Sequence, residues 1–231
     1  MSQWEIPDLI IDEDAVLRGQ GADPHVIRKR SPKLIEISKR AIKEGQDYLE
    51  PKVIFKKLFV ESFRHKKLEL ENSKRLSGSL IADQLFSAKY VVLLLCTVGD
   101  RLEEYISSVI KDEITYGFAL DGVGSAAVEA LANAACKYFE DEAAKEGFQS
   151  SIPLSPGMIG WEVNEGQRQI FEILDASQIN VELMPNSMMT PRKSLTTVIG
   201  FGPKMNPDGK TCDYCQMAET CKYKDHYEIT S

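Results

Sequence analysis

The sequence predicts an α+β protein built on a twisted antiparallel sheet with flanking helices. Helix-like and strand-like segments are mixed along the chain without the strict alternation that a doubly wound parallel sheet requires. One segment, KYVVLLLCTV (89–98), is apolar on both faces, which is typical of a central strand. The chain has 231 residues and is 43% hydrophobic, as expected for a globular protein that buries a substantial core.

The first half of the chain is predicted to contain both helices and strands. Ser31-Pro32 supplies a hydroxyl cap and a first-turn proline, so a helix is expected to begin there. The branched and aromatic residues of 53–63 predict a strand. Strict alternation over 67–71 predicts a second, half-exposed strand. Apolar residues at helical spacing predict a helix over 73–87.

The second half is predicted to be mainly helical until a late strand. Asp100, with Glu103 three residues later, has the pattern of a capping box at the start of a helix. Ala, Gly and Ser dominate 116–139, which predicts a helix that packs closely on its neighbours. Apolar residues at helical spacing over 167–174 predict a further helix. The segment 194–202 reads as a strand that ends in glycine.

Glu129 is the one charged residue between Asp121 and Lys137 on the small-residue helix. A carboxylate on such an apolar helix is costly to bury alone, so it is expected to be paired, to coordinate a ligand or to face a pocket. A contact at a helix C-cap or a position on a solvent-facing edge of the helix is the alternative. Asn133 lies one turn further along the same face. The two residues are therefore candidates for polar contacts to a ligand.

Charge and hydropathy exclude two classes of partner. The net charge of −7 argues against a phosphate-binding surface and hence against nucleic acid as a partner. The longest apolar run, Tyr90 to Val98, is far too short to span a membrane. The first residues lack the basic start and apolar run of a secretory signal. We therefore expect a cytoplasmic protein.

Three clustered cysteines set residues 206–231 apart from the α+β domain predicted for 1–205. Cys212, Cys215 and Cys221 have a spacing that suits one metal centre. His226 would complete a tetrahedral zinc site, whereas three thiolates alone would anchor an iron–sulfur cluster. A tail without metal is the third alternative. The remaining cysteines are expected to be small apolar core residues.

A pattern over 155–202 resembles a known family. It starts with Ser155-Pro156-Gly157 and ends in Lys193-Ser194, and its other members are Trp161, Gln167, Phe171, Leu174, Ile179, Val181, Leu183, Met188, Met189 and Pro191. This pattern is similar to the activation, or reactivation, domain of cobalamin-dependent methionine synthase. The segments 12–23 and 124–130 also look like parts of that domain, and a cysteine-rich tail is similar to that of stand-alone members.

The resemblance implies a C-shaped domain that binds S-adenosylmethionine near the Pro-Gly turn and docks on a cobalamin domain. One electron and a methyl group then restore methylcobalamin from cob(II)alamin. The chain itself lacks a corrinoid-binding pattern, so cobalamin is expected on a partner, either a corrinoid-binding protein or the core of methionine synthase. Flavodoxin or ferredoxin would be the electron donor.

The resemblance also suggests roles for individual residues. The turn beside the cleft would be formed by Ser155, Pro156, Gly157 and Met158. Trp161 would form part of the wall of the cleft. Lys193 and Ser194 would lie at the entrance of the late strand, where they contact a phosphate or a corrin side chain, or else form a turn with an exposed cation.

Three departures from the family pattern concern S-adenosylmethionine. A later tyrosine of the family has no clear counterpart in this chain, and the other two departures lie near the turn. Pro153 stands where the family has an arginine that meets the carboxylate of the ligand, and Met158 replaces a tyrosine. A charge-assisted contact of that kind contributes about 1.5–3 kcal/mol, so its loss predicts roughly tenfold to hundredfold weaker binding.

Three functions are consistent with these observations. The first is a reductive activation partner that serves a corrinoid methyltransferase in trans. The second is an S-adenosylmethionine-binding protein that donates a methyl group to the cobalt of cob(II)alamin. The third is a non-catalytic scaffold that binds a corrinoid protein. Binding of S-adenosylmethionine separates the second from the first, and a redox-active metal separates the first from the third.

Overall fold

A six-stranded antiparallel sheet organises the chain in the computed structural model, which describes residues 5–205, 211–214 and 219. The strands, in spatial order, are β3 (Lys74–Ser77), β2 (Lys67–Leu70), β1 (Lys52–Arg64), β4 (Tyr90–Thr97), β8 (Ser194–Gly202) and β5 (Gln149–Ser150). Two short strands, β6 (Glu182–Leu183) and β7 (Met189–Thr190), form a separate hairpin. The helices are α1 (Glu13–Gly19), α2 (Pro24–Arg30), α3 (Pro32–Gly45), α4 (Ser79–Leu85), α5 (Arg101–Val109), α6 (Ile114–Lys145) and α7 (Val163–Phe171). The predicted α+β class with a helix-flanked antiparallel sheet is thereby confirmed.

The central strand β4 is buried along its whole length, as its two-sided apolar sequence predicts. Its side chains alternate between the two faces of the sheet. Val91, Leu93 and Leu95 join a core cluster that includes Trp161, and we call this side the inner face. Val92 and Leu94 point to the opposite side, where α6 packs, and we call this the α6 face.

Small residues let α6 approach its neighbours closely, which confirms the prediction for this segment. A Cβ atom built on Gly122 would lie 2.5 Å from the carbonyl oxygen of Val16 in α1. Such a distance is far below van der Waals contact, so a larger residue would push the two helices apart. No helix in the described part of the chain is long and apolar enough to cross a membrane.

Two local predictions are wrong. The helix predicted over 73–87 is instead the edge strand β3 followed by the shorter helix α4, because Leu76 pairs with Leu68 across the sheet and joins the core. The predicted capping box does not form, since the Asp100 side chain makes no cap hydrogen bond. The carboxylate of Glu103 instead accepts hydrogen bonds from the backbone N–H groups of Arg192, at 2.6 Å, and Lys193, at 3.2 Å.

A polar cluster ties α3 to α6. The hydroxyl of Tyr116 donates to Glu44 at 2.5 Å, and the guanidinium of Arg40 contacts the same carboxylate at 3.1 Å. These contacts, first that of Tyr116 and then that of Arg40, lower the pKa of Glu44. Burial, helped by the hydrogen bond to Glu44, raises the pKa of Tyr116 above its ordinary value. The pair is therefore an ionised carboxylate and a neutral phenol at neutral pH.

We predict that Tyr116→Phe lowers the free energy of unfolding at neutral pH by about 1–2 kcal/mol, because it removes a hydrogen bond to a charged group. A carboxyl whose pKa is lowered by folding stabilises the protein above its ordinary pKa, and this contribution is lost as the pH falls through the folded-state value. The difference between mutant and parent should therefore shrink in acid. Urea unfolding at neutral and acidic pH measures this difference in the free energy of unfolding.

Tyr48→Phe is the matched control, because its hydroxyl makes no hydrogen bond within the part of the chain that the structure describes. A loss for Tyr116→Phe that is equal to that of the control, or that stays constant at all pH values, would contradict this account of the cluster.

Candidate functional site

The Pro-Gly turn predicted to border the site closes on itself through backbone hydrogen bonds. The N–H of Gly157 donates to the carbonyl oxygen of Trp161 at 2.8 Å, and the N–H of Trp161 donates to that of Met158 at 2.9 Å. Gly157 and Gly160 have φ values of 100° and 91°, which side-chain-bearing residues rarely adopt. The two glycines therefore make the tight return of the chain feasible.

Met158 fills the inside of this turn. Its side chain is only 6% exposed, and its Sδ atom accepts a hydrogen bond from the N–H of Ser155 at 3.1 Å. Pro153 is half-buried just before the turn and has no side-chain donor. The two positions that depart from the family pattern thus present no cation and no hydroxyl group. Neither of these two side chains can donate a hydrogen bond to a carboxylate.

Helix α7 packs directly against the turn through Trp161 and Gly166. The indole of Trp161 is 1% exposed, and a Cβ atom built on Gly166 would lie 2.9 Å from it and 2.8 Å from Pro156. The buried Gln167 accepts a hydrogen bond from the hydroxyl of Thr196 at 3.0 Å, which ties α7 to β8. The turn and α7 are therefore one rigid unit on the inner face of the sheet.

A cleft of about 400 Å³ lies between α7 and strands β2 and β3. Its lining is almost entirely polar or charged, and consists of Lys67, Arg75, Ser77, Asn164, Glu165, Arg168, Gln169 and Glu172. The segment that carries the family pattern therefore forms one wall of an open cleft. Sequence reasoning missed the part of the opposite wall that β3 forms, because it assigned that segment to a helix.

Lys193 and Ser194 are held by contacts within the protein. The Lys193 ammonium donates to the hydroxyl of Ser125 at 2.9 Å and pairs with the carboxylate of Asp121 at 2.9 Å, and only 14% of the side chain is exposed. The hydroxyl of Ser194 lies 2.7 Å from the carbonyl oxygen of Pro191. In this arrangement Lys193 anchors the start of β8 to α6.

The predicted site residues fall into two separate groups. Ser155 to Trp161 lie on the inner face, whereas Glu129, Asn133 and the Lys193 side chain lie on α6 or pack against it. Glu129 is half-buried and Asn133 is exposed. Because the sheet separates the two groups, the structure does not bring them together around one small ligand.

The predicted metal ligands Cys215, Cys221 and His226 lie outside the described residues, as does the side chain of Cys212. Tyr214, between the first two cysteines in sequence, is described. Its carbonyl oxygen accepts a hydrogen bond from the N–H of Ile159 at 2.6 Å, and its hydroxyl accepts one from Gln84 at 2.9 Å. Tyr214 therefore rests against the Pro-Gly turn.

The described residues offer no alternative metal centre, since they contain no group of three His, Cys, Asp or Glu side chains placed to hold one. Cys96 and Cys136 are buried, as predicted. Burial raises the pKa of Cys96 to about 12 and that of Cys136 as well, so both remain protonated thiols at neutral pH.

Comparison with solved structures identifies a similar fold. The chain matches a crystal structure of the MetH reactivation domain bound to AdoHcy, with a TM-score of 0.55, 15% sequence identity, and coverage of 81% of this chain and 70% of that one. At this identity the match establishes the fold alone. No protein-family model matches the sequence, and no curated protein does.

We predict that Lys193→Met lowers the free energy of unfolding by about 1–2 kcal/mol, because it removes a shielded ion pair and a hydrogen bond to a charged group. Lys137→Met is the matched control on α6. Its ion pair with Asp141 has the same chemistry, but 69% of the lysine side chain is exposed. Urea unfolding of both variants should show a loss under about 0.5 kcal/mol for the control. Equal losses would show that Lys193 is no anchor.

Proposed function

We propose that this protein is a reductive activation partner of a corrinoid-dependent methyltransferase such as methionine synthase, and that it acts in trans. The observation that carries the proposal is that the family pattern over 155–202 occurs in a chain with the fold of the MetH reactivation domain. The pattern residues Ser155, Pro156, Gly157 and Trp161 build the turn that α7 supports.

The proposed docking surface for the corrinoid protein is the solvent-exposed side of the Pro-Gly turn and of the start of α7. Ile159 is 53% exposed at the tip of the turn, and Val163 is 42% exposed where α7 begins. Exposed aliphatic side chains on a rigid support suit contact with a flat macrocycle and its apolar surroundings. The buried Met158 and Trp161 keep this surface in shape.

The residues of the turn do not fit S-adenosylmethionine in the way the family pattern requires. Pro153 offers no cation to the carboxylate, and the thioether of Met158 is turned inward onto Ser155. For this reason the proposed activity is reduction alone. One electron converts cob(II)alamin on the partner to cob(I)alamin, and a protein donor such as flavodoxin or ferredoxin resupplies that electron.

The cysteine tail is the proposed place of the electron-carrying centre. Three thiolates, from Cys212, Cys215 and Cys221, are the ligand type of an iron–sulfur cluster, whereas adding His226 gives the ligand set of structural zinc. A cluster supplies a single electron at low potential when bound. The contact of Tyr214 with Ile159 supports a position of this centre beside the docking surface.

A second candidate function is methyl donation from S-adenosylmethionine to the corrinoid. The observation that favours it is that the similar MetH domain was solved with AdoHcy, which is the demethylated product of that donor. This function requires another cation to take the place of the missing arginine.

The test mixes the anaerobically purified full chain with a methionine synthase core that contains cobalamin but lacks its own reactivation domain. We expect a stable complex, iron in the purified chain, and conversion of cob(II)alamin to cob(I)alamin by reduced ferredoxin or flavodoxin only when the chain is present. Visible absorption follows the reduction. Ile159→Asp should weaken the complex at least tenfold, because it places a charge in the apolar contact.

Phe118→Asp is the matched control, since Phe118 is also an exposed apolar residue but lies on α6, on the other face of the sheet. No complex with the core, or a complex equally weakened by both substitutions, would reject the proposed docking surface. A complex without iron, in which methyl transfer from S-adenosylmethionine restores methylcobalamin, would favour the second candidate function.

A further inference from the structure

We propose that the cleft between α7 and strands β2 and β3 binds the zwitterionic head of an α-amino acid, the group found in methionine. The choice of ligand rests on the proposed function, whereas the cleft itself is a feature of the fold. The site is distinct from the turn position where the family pattern has its arginine.

Three cations converge on this cleft from separate elements. They are Lys67 on β2, Arg75 on β3 and Arg168 on α7. None of them forms an ion pair with another described residue, although the chain as a whole has a net charge of −7. Guanidinium groups hold carboxylates through two parallel hydrogen bonds. Arg75 and Arg168 are therefore the groups best suited to an amino-acid carboxylate.

Two carboxylates in the same cleft favour a zwitterion over a simple anion. One oxygen of Glu165 accepts hydrogen bonds from the hydroxyl of Ser77 at 2.7 Å and from Gln169 at 3.0 Å. Its second oxygen and the carboxylate of Glu172 make no hydrogen bond within 5–205. They can therefore accept the ammonium of an amino acid, whereas they would repel phosphate.

Hydrogen bonds between the two walls fix their relative position. The backbone N–H of Ser77 donates to the side-chain oxygen of Gln169 at 3.0 Å, and the side-chain amide of Gln169 donates back to the Ser77 hydroxyl at 2.7 Å. The ammonium of Lys74 donates to the carbonyl oxygen of Glu172 at 2.6 Å. The cleft has a volume of about 400 Å³ and is open to solvent along one side.

Helix α7 connects this cleft to the Pro-Gly turn. Gly166 contacts Pro156 and Trp161 on one side of the helix, while Asn164, Glu165 and Arg168 line the cleft. A ligand in the cleft is thus about one helix diameter, roughly 10–12 Å, from the turn. Pro153 offers no cation at the turn, whereas the cleft offers three cations at a different position.

Calorimetry on the full chain tests the proposal with L-methionine, its methyl ester and inorganic phosphate. Methionine should bind, and the methyl ester at least tenfold more weakly, because esterification removes the carboxylate charge. Arg75→Gln and Arg168→Gln should each weaken methionine at least tenfold. Glu172→Gln should weaken it too, through loss of the ammonium contact.

Arg30→Gln is the control, because Arg30 is an exposed arginine at the end of α2, away from the cleft. It should leave methionine binding unchanged, and urea midpoints should verify that all variants are folded. Absence of methionine binding, equal binding of methionine and its ester, or phosphate binding tighter than that of methionine would overturn the inference.

The same variants separate this inference from the proposed function. If the corrinoid core is bound and reduced but methionine is not bound, the inference fails and the proposed function stands. If methionine binds and Arg168→Gln abolishes its binding, while no complex with the corrinoid core forms, the inference stands and the proposed function fails.

Discussion

Close packing of the Trp161 indole against Gly166 is the contact on which the candidate site depends. It leaves no room for a side chain between the Pro-Gly turn and α7, so the two pack as one unit. Because α7 is also tied to β8 through Gln167 and to β3 through Gln169, this unit spans the inner face of the sheet. The position of the turn, the exposed Ile159 and the polar cleft all follow from that packing.

The sheet separates two sets of residues that sequence reasoning had combined. On the inner face, the turn and α7 present an apolar tip and a charged cleft. On the α6 face, Lys193 forms an ion pair with Asp121 and a hydrogen bond to Ser125. The carboxylate of Glu103 accepts a hydrogen bond from the backbone just before β8. The second set keeps β8 in place, and β8 in turn carries Thr196 to Gln167 of α7. Residues of the α6 face thus support the site indirectly.

The sequence was most informative where local pattern and tertiary role agree. The buried strand β4 and the small-residue helix α6 were predictable because their burial follows directly from their composition. The strand β3 was not, since only the pairing of Leu76 with Leu68 across the sheet favours an extended conformation there. The carboxylate of Glu103 was misassigned for a similar reason, because its partners at Arg192 and Lys193 are distant in sequence.

The candidate site was predictable only in part. The motif identified the turn, but no local signal connects Arg75 and Lys67 with Arg168, because their proximity arises only when α7 packs beside the edge of the sheet. Similarly, the inward orientation of Met158 depends on the closure of the turn by backbone hydrogen bonds. Sequence alone therefore identified a departure from the family pattern without showing what had replaced it.

The functional surface that we propose consists of the Pro-Gly turn and α7 on the inner face. Hydrogen–deuterium exchange of the full chain, with and without a cobalamin-loaded methionine synthase core, tests it most directly. We expect added protection of backbone amides over 155–171, and unchanged exchange over the outward side of α6 around Asn133. Protection confined to α6, with none at the turn, would contradict the account.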